Sequence, residues 1–392
     1  MKRWMVILLV LTLALPCLAQ GETFKELTGA HGFLVGAPLS YGQMFDEKYL
    51  TLVSEQFSSL TTTNEMKAYS LLDQRASQKS EDGMPRMNYT VADQMVGFAR
   101  DHGVGVRGHV LVWDAYMLDW YFHEDYDSSK PYADQETVRA RTESYIKQVI
   151  THFEETFPGT VYCWDVVNEA VGDNSGEYVP GDARHLRTKR NGGDNLFYVY
   201  MGEDYVAQAF LYARNTVEEL GADIKLYYND YNAYFADKAK AILALAQSVD
   251  SYAMDAEGKP RKLIDGIGMQ GYIGGYGTQS GCLESSHIGM IRSAINGYAA
   301  AGYEVQITEM AVRNFDTEAA QKHADFYAAL FDTLKELGGE GPLRAVSIWG
   351  LTDYPNEPKG TYVYNLNSPY GGLFTENLEP KEAFDRVIDT LR

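Results

Sequence analysis

Short apolar or β-branched segments alternate with amphipathic segments along most of the chain. Eight apolar segments have the length of buried strands, and they span 33–36, 57–62, 104–108, 161–167, 224–228, 266–270, 304–308 and 345–349. Between them, apolar residues recur at spacings of three and four, which predicts helices that include 91–100, 142–153, 206–217 and 323–337. The alternation of strand and helix favours a parallel sheet covered by helices.

Repeating this alternation eight times predicts an α/β fold, a closed (β/α)₈ TIM barrel with eight parallel strands. A doubly wound open sheet is the alternative, and it is less favoured because no glycine-rich phosphate loop follows an early strand. We find no linker, no second module and no low-complexity stretch. The expected organisation is therefore a single catalytic barrel domain over residues 20–392.

Residues 1–19 have the features of a signal peptide. Lys2 and Arg3 precede an apolar run over 4–15, and small residues follow before Gln20. The run is shorter than the roughly 20 residues that a membrane span needs, so no membrane span is expected. The protein is predicted to be secreted or periplasmic. A lipid anchor at Cys17 is less favoured, because Pro16 stands where such signals usually have a small residue.

The composition limits the possible partners. The formal net charge is −20, whereas phosphate binding needs clustered Lys and Arg, so no nucleic acid partner is expected. Cys163 and Cys282 show no CxxC or Cys/His spacing of a metal site, and Cys163 is better explained as a small core residue than as half of a disulfide. We expect no metal, no cofactor and a monomer.

Polar and aromatic side chains follow nearly every predicted strand. They are Asn64, Glu65 and Lys67, then His109 and Trp113, then Asn168 and Glu169, then Asn229 and Asp230, and finally Gln270, Glu309 and Trp349. In a (β/α)₈ barrel the carboxyl ends of the strands meet at one face, where active sites lie. Each residue alone has an ordinary structural explanation, such as a turn or a core aromatic ring. Their repetition at one end of the strands favours a site.

Glu169 and Glu309 would project into one mouth from the fourth and seventh strands. Two carboxylates in a cleft are what cleavage of a glycosidic bond requires, one as proton donor and one as nucleophile or base. Trp113 and Trp349 would then stack on sugar faces. Asn64, Lys67 and His109 would hydrogen-bond sugar hydroxyls.

At these residues the chain resembles the family 10 glycoside hydrolases, the β-1,4-xylanase family on a (β/α)₈ barrel. The resemblance covers roughly residues 25–390, and its motifs are NEMK at 64–67, GHVLVW at 108–113, WDVVNEA at 164–170, GEDYVAQAFLYAR at 202–214, YYNDYN at 227–232, IDGIGMQ at 264–270, ITEM at 307–310, SIWGLTD at 347–353 and LFTENLEPKEAF at 373–384.

The resemblance implies a retaining double displacement. Glu309 would attack the anomeric carbon from its ionised state while Glu169 protonates the leaving oxygen, and Glu169 would then activate water. Asn168 would hold the 2-hydroxyl of the glycone sugar. Asn64, Lys67, His109 and Trp113 match positions that bind the glycone side, and Gln270 matches a position near the nucleophile.

The chain departs from the family pattern at Thr63, Tyr116, Tyr272 and Glu357. Tyr272 stands where the family uses a histidine to hold the nucleophile. It can donate a hydrogen bond to Glu309 but cannot become cationic, so we expect weaker support for the ionised nucleophile and modest activity. Glu357 stands near the place where the family has a tryptophan that covers the glycone sugar. The absence of this tryptophan would admit decorated xylans or another β-linked glycan.

The expected function is a secreted endo-β-1,4-xylanase that acts on xylan. One alternative is the same mechanism on another β-linked glycan or on decorated xylo-oligosaccharides. A non-catalytic glycan-binding barrel is disfavoured, because such a protein has no need to keep both glutamates. The basic segment 181–193 is interpreted as a solvated loop in preference to a contact for a uronic acid.

Overall fold

The structure is a computed structural model that describes residues 22–274, 283–354 and 368–392. Its centre is a closed barrel in which each strand pairs in parallel with the next and the last strand pairs with the first. The strands are β1 (Leu34–Leu39), β2 (Ser59–Thr62), β3 (Gly105–Gly108), β4 (Val161–Asn168), β5 (Lys225–Asp230), β6 (Gly266–Met269), β7 (Glu304–Val312) and β8 (Leu343–Ile348). All eight predicted strands are confirmed, with ends that differ by a few residues.

One principal helix follows each barrel strand. These helices are α1 (Glu47–Gln56), α2 (Thr90–Asp101), α3 (Gln135–Thr156), α4 (Tyr205–Leu220), α5 (Ala236–Asp250), α6 (Ser286–Ala300), α7 (Ala320–Leu337) and α8 (Glu382–Leu391). Shorter helices span Phe24–Ala30, Ala68–Leu71, Gln74–Gln78 and Leu196–Met201. The (β/α)₈ barrel predicted from the alternation is therefore the observed fold.

Local sequence signals explain where the helices begin and end. The side chain of Asp134 accepts a hydrogen bond from the Thr137 amide at 2.7 Å, which caps the start of α3. Helix α4 ends at Gly221, whose φ of 62° is the left-handed conformation that glycine adopts without strain. The inner faces of both helices are apolar and pack on the barrel.

The interior of the barrel contains a charged cluster below the mouth. Arg107 of β3 pairs through two hydrogen bonds with Asp165 of β4, and its Nε donates to Gln306 of β7 at 3.1 Å. All three side chains are buried. A buried ion pair is tolerated when hydrogen bonds satisfy its polar atoms, as they do here. Nδ1 of His109 also forms a hydrogen bond with Asp165 Oδ2, at 2.7 Å. The cluster therefore supports the site above it.

Several predictions from the sequence concern residues outside the described part of the chain. The signal peptide over 1–19, Cys282 and Glu357 all lie there. Cys163 lies in β4 as a buried free cysteine, as predicted. Within the described ranges, no helix is both long and apolar enough to cross a membrane.

Candidate active site

Both predicted catalytic glutamates lie at the carboxyl face of the barrel. Glu169 directly follows β4, and Glu309 lies within β7 where the pairing with β8 shifts register between Ile307 and Met310. Such irregularities redirect a side chain from its regular position in the sheet. Both residues are buried, with exposed fractions of 7% and 8%.

The backbone of Glu169 leaves the extended conformation at the end of β4 and is held by hydrogen bonds on both sides. Its φ is 55°, a left-handed conformation that is uncommon for a residue other than glycine. The Glu169 amide donates to the Asn229 carbonyl at 2.8 Å, and the Glu169 carbonyl accepts from Arg187 Nε and Arg190 Nη2, each at 3.1 Å. Because both sides of the residue are held, the chain keeps a conformation that is typical of functional sites.

A chain of amide hydrogen bonds connects the two carboxylates. Gln270 Nε2 donates to Glu169 Oε1 at 3.1 Å and to Asn168 Oδ1 at 3.3 Å. Asn229 Nδ2 donates to the same Asn168 oxygen at 2.9 Å and to Glu309 Oε1 at 3.3 Å. The carboxylates therefore share one mouth, as predicted.

The second oxygen of Glu169 accepts two further hydrogen bonds. Trp113 Nε1 donates to Glu169 Oε2 at 3.1 Å, and Arg190 Nη1 donates to it at 2.9 Å. Arg190 is held in turn by Asp114, with Nε to Oδ2 at 2.9 Å and Nη2 to Oδ1 at 2.8 Å. One guanidinium group thus contacts the Glu169 carboxylate, and the loops after β3 and β4 supply the two donors to its second oxygen.

Glu309 has neutral hydrogen-bond donors and more distant cations. The Tyr272 hydroxyl donates to Glu309 Oε2, which is the hydrogen bond expected from the sequence. Burial raises the pKa of Glu309, and the Glu169 carboxylate raises it further, whereas His109, the Tyr272 hydrogen bond and Lys67 lower it. The pKa of Glu309 is therefore raised overall by burial, which is opposite to the expectation that its surroundings favour the ionised nucleophile.

The predicted glycone-side residues lie together beside the carboxylates. Lys67 is buried and its Nζ donates to Asn64 Oδ1 at 3.1 Å. The same ammonium lies 5.1 Å from the Trp113 ring centre and 4.4 Å from that of Tyr116. Burial lowers the pKa of Lys67, and the two catalytic carboxylates, first Glu309 and then Glu169, oppose that shift. The ammonium is therefore close enough to both carboxylates to interact with them.

Two other predicted residues lie at the same face. His109 directly follows β3, and its bond to Asp165 fixes the ring orientation at the floor of the mouth. Trp349 directly follows β8 and is half-buried, and its amide donates to the Met310 carbonyl at 2.8 Å, one residue from Glu309.

One prediction from the sequence needs correction and another is refined. Gln270, predicted near the nucleophile, donates its amide hydrogens to Glu169 and Asn168. The solvated-loop interpretation of 181–193 is wrong for Arg187, which is buried, and for Arg190, whose side chain is 18% exposed. The carboxylates that attract these two arginines are distant in sequence, so local composition does not reveal them.

The sequence interpretation also missed a hairpin. Lys189–Arg190 pairs in antiparallel fashion with Gly193–Asp194, and the two turn residues Asn191 and Gly192 have φ values of 51° and 83°. Positive φ at both positions is the type I′ turn that Asn-Gly favours. The Asn-Gly pair was the signal that would have revealed this hairpin.

Asp230 and Asn168 lie at the ends of β5 and β4, at the same face. Asp230 is buried, and its Oδ1 pairs with Lys238 Nζ at 3.1 Å in an ion pair that holds a loop. Burial raises the pKa of Asp230 to about 6. Asn168 Nδ2 is buried and has no hydrogen-bond partner in the part of the chain that the structure describes. An unpaired buried amide costs about 1–3 kcal/mol, so this group is suited to donate to a ligand. Within the same ranges, no group of three or more His, Cys, Asp or Glu side chains could hold a metal ion.

A closed (β/α)₈ barrel with two carboxylates at its carboxyl face is an arrangement that glycoside hydrolases use. The chain belongs to Glycosyl hydrolase family 10, whose sequence model matches residues 23–390. Family membership confirms the resemblance found in the sequence motifs.

Relatives and solved structures agree with this assignment. The putative endo-1,4-beta-xylanase of Caldicellulosiruptor saccharolyticus is 35% identical over 330 residues, which are 81% of this chain and 95% of that protein. Endo-1,4-beta-xylanase B of Butyrivibrio fibrisolvens is 29% identical over 91% of this chain but only 51% of its own length. The CBM22-1–GH10 modules of Clostridium thermocellum xylanase 10B, solved with xylohexaose, match with a TM-score of 0.78 and 28% identity, covering 95% of this chain and 68% of that one.

Proposed function

We propose that the chain is a retaining endo-1,4-β-xylanase that cleaves xylan by double displacement. The observation that carries the proposal is the amide network in which Gln270, Asn168 and Asn229 connect Glu169 to Glu309 at one mouth. Membership in family 10 and relatives named as endo-1,4-beta-xylanases support the same reaction and substrate class.

In this proposal Glu309 is the nucleophile and Glu169 is the acid/base. Glu309 attacks the anomeric carbon while Glu169 gives its proton to the leaving oxygen, which yields a glycosyl-enzyme. Glu169, now a carboxylate, takes a proton from water as the water attacks the same carbon and releases Glu309. The position of Glu309 supports its role, because it lies at a register shift of β7 and its carboxylate accepts hydrogen bonds from Asn229 and Tyr272.

The neighbouring polar groups are proposed to hold the glycone sugar. Asn168 Nδ2 would donate to its 2-hydroxyl, an interaction that supplies the missing partner of that buried amide. Lys67 and His109 would hydrogen-bond other hydroxyls, and Trp113 and Trp349 would present ring surface. Asn64 would act mainly through Lys67, because its Oδ1 accepts a hydrogen bond from the Lys67 ammonium.

One observation favours altered substrate preference as a second candidate. Tyr116 is 40% exposed, and its ring packs against Trp113 with centres 4.5 Å apart. The family has glutamine at this position, so an aromatic surface replaces an amide on the glycone side. Decorated xylo-oligosaccharides or another β-linked glycan are therefore the substrates to compare with plain xylan.

Release of reducing sugar from a panel of glycans tests the function. Unsubstituted xylan, arabinoxylan, glucuronoxylan, mixed-linkage glucan and cellulose are compared, with Glu309→Gln as the matched inactive control. We expect release from xylans to exceed release from the glucans. Greater release from a glucan would favour the second candidate. Binding of xylan without release from any glycan would overturn the proposal in favour of a glycan-binding barrel.

We also propose that residues 1–19 direct export and are removed, as their sequence suggests. N-terminal sequencing of the protein recovered outside the cytoplasm tests this directly. A mature chain that begins near Gln20 is expected, whereas one that keeps Met1 would contradict it.

A further inference from the structure

We propose that Arg190 is a positioning residue for the acid/base, which fixes the proton of Glu169 on one oxygen and neutralises the carboxylate formed when that proton leaves. The proposal rests on the proposed double displacement. It deepens that mechanism by assigning a role to a hairpin that follows β4.

Two acidic residues, Asp114 and Glu169, accept hydrogen bonds from nearly all N–H groups of the Arg190 guanidinium. Its Nε and one Nη2 hydrogen go to Asp114, its second Nη2 hydrogen goes to the Glu169 carbonyl, and one Nη1 hydrogen goes to Glu169 Oε2. Four of its five N–H groups therefore have partners among the described residues. The bidentate contact with Asp114 sets the plane of the guanidinium, and so determines where the charge meets Glu169.

The hairpin makes this contact a fixed feature of the loop. The type I′ turn at Asn191 and Gly192 places Arg190 on one strand, paired with Gly193. Just before the hairpin, the Arg187 carbonyl accepts from Asn195 Nδ2 at 2.9 Å, and Arg187 Nη1 pairs with Glu177 at 2.7 Å. The loop is thus tied down on both sides of Arg190.

The hydrogen bonds indicate which oxygen of Glu169 carries the proton. Oε2 accepts from both Trp113 Nε1 and Arg190 Nη1, so its two lone pairs are occupied. Oε1 accepts only from Gln270 Nε2 within the described chain. When Glu169 is protonated, Oε1 is therefore the oxygen with room for the proton, and Arg190 and Trp113 together hold the carboxyl group from the opposite oxygen.

This arrangement matters most when the leaving group needs a proton. As the glycosidic bond breaks, the Oε1 proton moves to the departing oxygen, the bond electrons stay with that oxygen, and Glu169 becomes a carboxylate. Arg190 lies 2.9 Å from that carboxylate and stabilises the developing charge. A leaving group that departs without a proton gains little from Arg190.

The cluster also argues against an anionic ligand at this position. Arg190 already faces the carboxylates of Glu169 and Asp114, so one cation is shared between two acidic groups. A uronic acid would add a third carboxylate beside them. The alternative interpretation of 181–193 as a uronic acid contact is therefore disfavoured for Arg190.

A leaving-group series tests the proposal. We would measure kcat/KM on aryl β-xylobiosides from 2,4-dinitrophenyl to phenyl, and on xylotetraose, for Arg190→Gln, Arg190→Lys and Asp114→Asn. Arg184→Gln is the matched control, because Arg184 lies in the same loop and pairs with Asp182 instead. Thermal melting of each variant reports whether it folds.

We expect Arg190→Gln to lower kcat/KM by about 10- to 100-fold on the phenyl substrate and xylotetraose, a part of the roughly 10²- to 10⁴-fold that proton donation contributes, but by less than about threefold on the dinitrophenyl substrate. Asp114→Asn should give the same pattern, Arg190→Lys a smaller loss, and Arg184→Gln no change.

Equal losses across the series, or no loss on xylotetraose, would overturn the role of Arg190. If Arg190→Gln does not fold, Arg190→Lys and Asp114→Asn decide by the same criterion. A wild-type protein inactive on every substrate would instead refute the double displacement itself, so the two failures are distinguishable.

Discussion

The two carboxylates of the mouth are supported in different ways. Glu309 lies in β7, and its partners Asn229 and Tyr272 come from the barrel wall on β5 and from the Tyr272–Ile273 strand that pairs with the end of β7. Glu169 follows β4, and its charged partner Arg190 comes from a loop hairpin. The side of the mouth that holds the nucleophile is built by strand register, whereas the acid/base side also depends on a loop.

The electrostatic environments differ in the same sense. Glu309 receives neutral hydrogen bonds and its pKa is raised by burial, with His109, Tyr272 and Lys67 opposing. Glu169 has a guanidinium in direct contact at 2.9 Å. The comparison shows that one carboxylate relies on several modest contributions, and the other on one strong and removable ion pair.

The largest effect is expected from Glu309→Ala. Without the nucleophile no glycosyl-enzyme forms, so kcat should fall on the order of 10⁴-fold or more on every substrate, whatever its leaving group. Initial rates on xylotetraose and on a dinitrophenyl xylobioside check this. A loss confined to xylotetraose would reverse the assigned roles.

Glu169→Ala should have a smaller and selective effect. Proton donation contributes about 10²- to 10⁴-fold, so kcat/KM on xylotetraose should fall within that range. On a dinitrophenyl xylobioside the first step needs no proton, and a burst of dinitrophenol should precede slow turnover. Comparable losses of kcat/KM on the two substrates would contradict the assignment of Glu169 as acid/base.

Tyr272→Phe should alter the pH profile with a modest loss of activity. The phenol hydrogen bond lowers the pKa of Glu309, so its removal leaves burial less opposed and raises that pKa further. Because the nucleophile acts ionised, the acidic limb of kcat/KM should move to higher pH, with about a 10-fold loss at neutral pH. Tyr145→Phe, on α3, is the control. An unmoved limb, or one at lower pH, would show that the phenol does not support the nucleophile.

Much of the mouth could be predicted because barrel geometry follows from periodicity. Eight strands with helices between them place every strand end at one face, so Glu169 and Glu309 could be brought together from sequence positions alone. The same logic located Asn168 and His109. What these positions share is that each follows or lies in a strand, where register determines location.

Contacts that depend on the course of a loop could not be predicted in this way. Arg190, which lies in the hairpin after β4, contacts Glu169 and Asp114, and both carboxylates are distant from it in sequence. Gln270 donates to Glu169 and Asn168 because of its side-chain direction, which strand position does not determine. The Arg107–Asp165 pair inside the barrel was likewise hidden, because each residue lies in an otherwise apolar run.

The most direct test of the account is to trap the covalent intermediate. The protein is incubated with a 2-deoxy-2-fluoro β-xylobioside that carries a dinitrophenyl leaving group, digested, and analysed by mass spectrometry for the labelled peptide. One glycosyl group per chain is expected, attached to Glu309. An active protein that releases product without any adduct, or with the adduct on Glu169 or another residue, would contradict it.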